Sequence, residues 1–296
     1  ITNVINKMNS GYIYAALCVI SWSFIPVVSR LGQVDLDNFQ LLFWSNILSL
    51  IVLSLAFTFS QGLSFRGVSI RAVPYVLFLG SLGCSIYYLF LYYGYANGNS
   101  IEVLLIQYSW PLQMVLLANL ILKEALSFKK FLILIAGFFG IVIIITKGRI
   151  FDVQFSGLEV GITVLIGAFC FALFSVLSKR SNMDVFLFTM VLFTGGAVTS
   201  IFALFLFSEF QWPNRQELIP VFANGIFING FSYLLWIFAL RKISVTAAGI
   251  MIFLTPLFSI IWLIMFFEEV LYSSHILGGC IVILSSFYLL RERNSS

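Results

Sequence analysis

Tyr88 and Tyr92 stand four residues apart, and Gln107 and Trp110 three apart, so each pair shares one face of a helix. Asn229, Tyr233 and Trp236 form a similar stripe. Trp22, with Ser21 and Ser23 beside it, and Trp44, two residues before Asn46, complete the set, and all of them lie inside long apolar runs. Buried amides and tyrosine hydroxyls need hydrogen-bond partners, which a wet cavity supplies. Aromatic walls suit a planar or cationic ligand through stacking and cation–π contact. The chemistry on offer is therefore recognition of a small molecule. Helix packing and interfacial aromatic belts are the competing use of such residues, and Trp212 and Trp262 are assigned to it.

Bond-making chemistry is poorly provided for. The single histidine, His275, sits at the start of the last apolar run, and there is no HExxH motif, aspartate dyad or serine–histidine constellation. The four cysteines, Cys18, Cys84, Cys170 and Cys280, fall inside apolar segments without metal-ligand spacing and read as buried structural thiols. The chain is thus expected not to be an enzyme and to need no metal or cofactor. Asp35, Asp37, Asp152 and Asp184 lie in loops or at the ends of apolar runs, and Glu124, Glu268 and Glu269 close two of those runs. Glu102 stands one residue inside another. It is either a cavity-mouth acid able to couple transport to protons, or a solvated carboxylate at a helix start, where the helix dipole favours it. A net charge of +4 leaves no nucleic-acid footprint.

The elements that must position these residues follow from composition. Of 296 residues, 61% are hydrophobic and 9% charged, with 33 phenylalanines. A soluble domain carries about 25% charged residues, so the partner implied by this chain is a lipid bilayer. A membrane span needs about 20 apolar residues. Ten segments qualify, at 11–29, 38–60, 74–96, 101–122, 130–146, 157–178, 184–208, 218–240, 245–267 and 275–290. The first leads straight into further spans and reads as a helix of the mature protein rather than a secretion signal. With the N-terminus placed inside, twelve of the 16 lysines and arginines fall on the cytoplasmic side, Arg66 and Arg293 among them, while Arg30, Lys147, Arg149 and Arg215 fall outside. Both termini are therefore expected in the cytoplasm. Compact loops suggest a bacterial or archaeal inner membrane.

The chain repeats itself. Tyr88, Pro111 and Glu124 match Tyr233, Pro256 and Glu269, each pair 145 residues apart, and Ser29-Arg30 weakly matches Ser178-Lys179. The unit is five spans long, with a first repeat at 1–150 and a second at 151–296. An odd number of spans makes the second copy enter the membrane from the opposite side, an arrangement typical of secondary transporters that work by alternating access. Pro111 and Pro256 fall near the middle of the fourth and ninth spans. A mid-span proline frees a carbonyl and kinks the helix, and paired interruptions point to the binding site. A packing kink without ligand contact is the other reading. No pore-lining ring or filter motif supports a channel.

With Tyr87-Tyr88 in the third span, Pro111 in the fourth and Glu124-Ala125-Leu126 closing it, and a similar pattern in the eighth and ninth spans, the chain resembles the ten-span, EamA-type branch of the drug/metabolite transporter superfamily. Leu105-Ile106-Gln107-Tyr108-Ser109-Trp110-Pro111-Leu112 is similar to a segment of the aromatic amino acid exporter group, from which Gln107 departs where that group tends to have asparagine. The resemblance implies an all-α membrane protein, with two inverted five-helix repeats around a central cavity and spans five and ten outside it. It also implies export of amino acids, aromatic or otherwise neutral. Uptake or exchange of another solute, such as a nucleobase, nucleoside or quaternary amine, is the alternative. The small four-span members of the superfamily rely on a glutamate in their first helix. None occurs in 11–29 here, so a uniporter, an exchanger or a carrier of neutral or zwitterionic solutes is expected in place of obligate proton–dication exchange.

Overall fold

A backbone in lipid must satisfy its own hydrogen bonds, and a helix does so within one segment. In the computed structural model, which describes the backbone of residues 2–61 and 70–291 and the side chains of 10–60 and 70–289, the apolar runs fold accordingly. Arg66 and Arg293 lie outside the described residues. Among the described residues nine helices are long and apolar enough to cross a membrane: α1 (Ser10–Gly32), α2 (Asn38–Ser60), α3 (Ile70–Asn97), α4 (Ser100–Leu122), α5 (Phe128–Ile145), α6 (Leu158–Ser178), α7 (Val185–Phe207), α8 (Leu218–Lys242) and α9 (Val245–Phe267). The tenth, α10 (Ser273–Arg291), has 19 residues, and its apolar stretch Ser273–Leu289 is shorter than the nine. At 1.5 Å per residue it is about 28 Å long, close to the bilayer's apolar thickness.

Polar residues set the helix ends. Asn99, Ser127, Asp184 and Ser244 each accept backbone N–H bonds from the first turn they precede. At the other end, Lys123 and Glu268 close α4 and α9 in the left-handed conformation, at φ 58° and 55°. These two are 145 residues apart, the same offset as the sequence matches.

The irregularities inside the helices recur at that offset too. Helix α4 breaks at Tyr108–Ser109, immediately before Trp110-Pro111, and α9 breaks at Phe253–Leu254, immediately before Thr255-Pro256. Proline supplies no N–H for the preceding turn, so the ladder is interrupted there. Helices α3 and α8 each widen into a π-type stretch, at Leu82–Ile86 and Asn224–Phe231, and the two stretches end 145 residues apart. Such widenings often mark functional positions.

Alternation of direction places the start of α1 and the ends of α4, α6 and α8 on one face, here the proximal face, where Lys242 Nζ donates to Ser10 Oγ at 2.9 Å. The distal face carries the end of α1 and the starts of α2, α4, α6 and α8. There Glu217 is fully buried. It accepts the backbone N–H groups of Asp35 and Leu36, both at 2.8 Å, and of Asn214 at 2.9 Å, tying the α1–α2 and α7–α8 connections together.

Packing divides the interior into two main parts. Helices α1 to α4 and α6 to α9 contribute the larger core. In it α3 and α7 cross backbone to backbone: a Cβ on Gly80 would stand 1.8 Å from the Leu192 carbonyl oxygen, and one on Gly195 would stand 2.1 Å from that of Leu77. Helices α5 and α10 form a separate layer against α4 and α9, with Val115, Leu134, Ile141, Ile250, Phe253 and Val282 between them. One sequence expectation is corrected here. Cys280 is exposed on the outer side of α10. Trp262 serves helix packing: it stacks on Phe24 at 4.2 Å and donates to Ser23 Oγ at 2.8 Å, joining α9 to α1.

Candidate functional site

The aromatic residues singled out in the sequence converge near mid-bundle. Trp22 of α1 lies 6.2 Å from Trp110 of α4, 5.7 Å from Tyr233 and 5.3 Å from Trp236 of α8, centroid to centroid. All four are at most 6% exposed. Three of the four are tied by hydrogen bonds inside the protein: Trp22 Nε1 donates to Ser232 Oγ at 2.6 Å, Trp236 Nε1 to Ser175 Oγ at 3.2 Å, and the Tyr233 hydroxyl to the Gly83 carbonyl at 3.2 Å. The Gly83 carbonyl belongs to the widened stretch of α3, so one helix irregularity meets the side chain of another helix directly. Edge-on ring contacts dominate, as quadrupoles prefer.

Phe171 of α6 sits at the centre of this cluster, 4.8 Å from Trp110, 4.9 Å from Tyr87 and 5.8 Å from Trp22. Sequence reasoning missed it, since one phenylalanine among 33 carries no signal.

A cavity of about 30 Å³ opens beside the cluster, lined by Ser29, Ser45, Tyr88, Tyr92, Asn224 and Asn229 together with Ile25, Leu41, Leu42 and Ile228. Ile25, Ser29, Leu41 and Leu42 belong to the distal halves of α1 and α2, so the cavity lies toward the distal face. The cluster closes the way toward the proximal face. The lining offers hydroxyls and amides, with no charged side chain among the described residues. Asn224 reaches it because α8 is widened there, and its Nδ2 donates to Ser45 Oγ at 2.7 Å. As an amide inside an apolar run, Asn224 was findable in the sequence. The Tyr88 and Tyr233 hydroxyls face each other at 3.5 Å, where the two repeats meet.

Other expected residues lie elsewhere. Gln107 donates to the Tyr87 hydroxyl at 2.6 Å and faces the Tyr95 hydroxyl at 3.4 Å, between α3 and α4. Trp44 turns to the distal surface, donates to the Gln211 carbonyl at 2.9 Å, and packs on Phe43, Phe210 and Trp212. Pro111 and Pro256 are buried at the helix breaks and do not line the cavity. Glu102 is 2% exposed and accepts the Ser156 N–H at 2.7 Å, which fastens the α5–α6 connection to the start of α4.

On the proximal face, Glu124 accepts from Val245 N at 2.9 Å, Thr246 N at 3.0 Å and Thr246 Oγ1 at 3.0 Å, and pairs with Lys179 at 3.3 Å. Burial alone would push this carboxyl up. The Thr246 and Val245 amides and the Lys179 ammonium outweigh that and hold it below the usual carboxylate range. Among the described residues no cluster of histidine, cysteine or carboxylate groups could hold a metal ion.

This geometry has relatives. An archaeal protein of Archaeoglobus fulgidus named an uncharacterized transporter is 24% identical over 262 residues, which cover 86% of this chain and 89% of the relative. The uncharacterized transporter YyaM of Bacillus subtilis is 25% identical over 230 residues, 74% of this chain and 73% of that one. A protein of known crystal structure superposes with a TM-score of 0.85 at 19% identity, covering 97% of this chain and 99% of the other, and so shares the fold. The sequence pattern of one family matches twice, over residues 9–146 and again over 160–291, with a widened helix, a proline break and a left-handed helix end within each match. By that double match, a multi-pass membrane protein of two five-helix repeats, this chain belongs to the EamA-like transporter family, within the drug/metabolite transporter superfamily.

Proposed function

We propose that this transporter exports small neutral or zwitterionic metabolites, amino acids with aromatic or other neutral side chains foremost, by alternating access across a bacterial or archaeal inner membrane. Both termini are then cytoplasmic and the distal face is external. The observation that carries the substrate class is the lining of the cavity: Tyr88, Tyr92, Asn224, Asn229, Ser29 and Ser45 offer hydrogen bonds and ring faces, with no charge among the described lining to balance an ion. A solute with net charge would be desolvated there without compensation. Trp22, Trp110, Tyr233 and Trp236 form the proximal wall that must part for the solute to pass.

The test is counterflow in proteoliposomes loaded with unlabelled tryptophan or leucine, with the labelled amino acid outside. Transient accumulation above protein-free vesicles is expected. Absence of accumulation for every neutral amino acid, with folded protein in the vesicles, overturns the amino acid assignment. A second reading, uptake or exchange of a nucleobase, nucleoside or quaternary amine, is favoured by the Tyr88–Tyr92 ring pair, 6.1 Å apart and 42° from parallel beside Asn229. A flat or cationic solute would fit such walls, and the same vesicles loaded with those solutes decide between the two.

A further inference from the structure

The repeat gives Glu124 a counterpart, Glu269, and the weaker match of Ser178-Lys179 with Ser29-Arg30 gives Lys179 one, Arg30. In the structure the two carboxylates are not equal. Glu124, at the end of α4 in the first repeat, accepts from the first two amides of α9 in the second, at 2.9 and 3.0 Å. It also pairs with Lys179 at the end of α6, and the Lys179 ammonium donates to the Ile243 carbonyl at 2.6 Å. One carboxylate thereby fastens three helices of both repeats over the proximal face. On the distal face, Glu269 meets Arg30 at 3.4 Å, with both side chains about half exposed. The residues equivalent to Val245 and Thr246 are Ser100 and Ile101, at the start of α4. That start is capped by its own Asn99, which accepts from Ile101 N at 2.9 Å.

The asymmetry matches the position of the cavity beside the aromatic cluster, while a larger hollow of about 210 Å³ lies on the proximal face beside Glu124, bounded by Lys130, Thr246 and Leu289. The Glu124 latch lies on the face the aromatic cluster blocks, and the cavity lies toward the face where Glu269 holds no helix start, although the buried Glu217 ties the connections of both repeats there. We propose that Glu124 and Glu269 are positioning residues that exchange roles during transport. When the proximal face opens, Glu124 leaves the start of α9. Glu269, drawn in with Arg30, then takes the Ser100 and Ile101 amides at the start of α4, displacing Asn99. The distal face is thereby latched as the proximal one is now. A helix start presents unsatisfied N–H groups and the positive end of its dipole, so a carboxylate is the natural group to hold it. Charge-assisted bonds of this kind are strong enough to bias a two-state equilibrium and weak enough to be exchanged. The proposal rests on the alternating-access reading above and does not depend on the solute carried.

The test is hydrogen–deuterium exchange on the purified full chain, which needs no substrate. Glu124→Gln is expected to speed exchange of the amides of 244–248 by about tenfold, the loss of roughly one charged hydrogen bond. It is also expected to slow exchange at 99–103, because the population moves to the state in which Glu269 covers them. In Glu124→Gln/Glu269→Gln that distal protection is expected to vanish while the proximal exposure stays. Faster exchange at 244–248 with 99–103 unchanged in Glu124→Gln would reduce Glu124 to a static cap and overturn the proposal. If Glu124→Gln does not fold, Lys179→Gln removes the ion pair and keeps the carboxylate. The same opposed changes are expected there in smaller measure, and their absence overturns the proposal equally. A failed counterflow assay leaves this result standing, so the two readings fail separately.

Discussion

Tyr88 and Tyr233 hold the same place in the two halves, and their hydroxyls face each other, yet their surroundings differ. Tyr233 is 1% exposed and bound to the Gly83 carbonyl, while Tyr88 is half-buried and lines the cavity. The same division runs along the chain. Trp110 of the first half corresponds to Thr255 of the second, Tyr92 to Ile237, and Gln107 to Ile252. What the halves share is backbone: the widened third helix, the break before the proline and the left-handed end of the fourth. The skeleton that lets helices bend is therefore written twice and the polar cavity once. A symmetric frame needs an asymmetric lining if one solute is to be held in one orientation.

The sharpest way to break this comparison is at its shared frame. Gly80 and Gly225 are equivalent, but a Cβ on Gly80 meets the Leu192 carbonyl oxygen at 1.8 Å, and one on Gly225 meets the Leu48 side chain at 2.6 Å. Backbone yields less than a side chain. Gly80→Ala is expected to cost about 3 kcal/mol or prevent folding, and Gly225→Ala about 1 kcal/mol, read as the shift in thermal unfolding of the purified protein. Equal shifts would mean that the two crossings are mechanically alike.

Next comes the tyrosine pair. Tyr233→Phe takes the donor from the buried Gly83 carbonyl and should lower stability by about 1 kcal/mol. Tyr88→Phe should leave stability nearly unchanged and raise KM in counterflow, since Tyr88 lines the cavity and its hydroxyl meets that of Tyr233 at a long 3.5 Å. A reversal of those two effects would put the binding surface in the second half. Trp44→Ala should change neither KM nor turnover and should increase proteolysis of the 208–217 connection, which Trp44 holds through Gln211.

The smallest effect concerns acid. Burial pushes the Glu217 carboxyl up, and the backbone amides of Asn214, Asp35 and Leu36 bring it below the ordinary range. A depressed carboxylate stabilises the fold above its unfolded value of about 4.3 and loses that contribution as pH falls through the folded value. Wild type should therefore lose more stability than Glu217→Gln between about pH 5 and about pH 3. Parallel curves would show that the clamp contributes nothing.

Much of the frame could be read from residues alone, because apolar length, proline position and a fixed offset all survive in a linear text. Pro111 and Pro256 marked the breaks, and the offset of Tyr88 and Tyr233 marked where the halves touch. The cavity was less legible. A tyrosine in an apolar run does not say whether its hydroxyl meets a carbonyl, as that of Tyr233 does, or another hydroxyl at the edge of a cavity, as that of Tyr88 does. Trp44 and Gln107 share composition with their neighbours in the site but rotate onto other partners, the Gln211 carbonyl and the Tyr87 hydroxyl. Glu102 and Glu217 were invisible as clamps because the connections they fasten, through the amides of Ser156, Asp35 and Leu36, lie more than 50 residues away in sequence.

At about 30 Å³ the cavity has room for roughly two water molecules, against the 300 Å³ or more, in order of magnitude, that small-molecule sites require. On the proposed reading, in which the solute binds there, the affinity of the carrier is the intrinsic affinity of an enlarged site multiplied by the fraction of time that site exists. A substitution that holds the site open, such as a smaller residue at Phe171, would tighten equilibrium binding. It would also slow the return of the empty carrier, so tight binding and fast turnover would trade against each other.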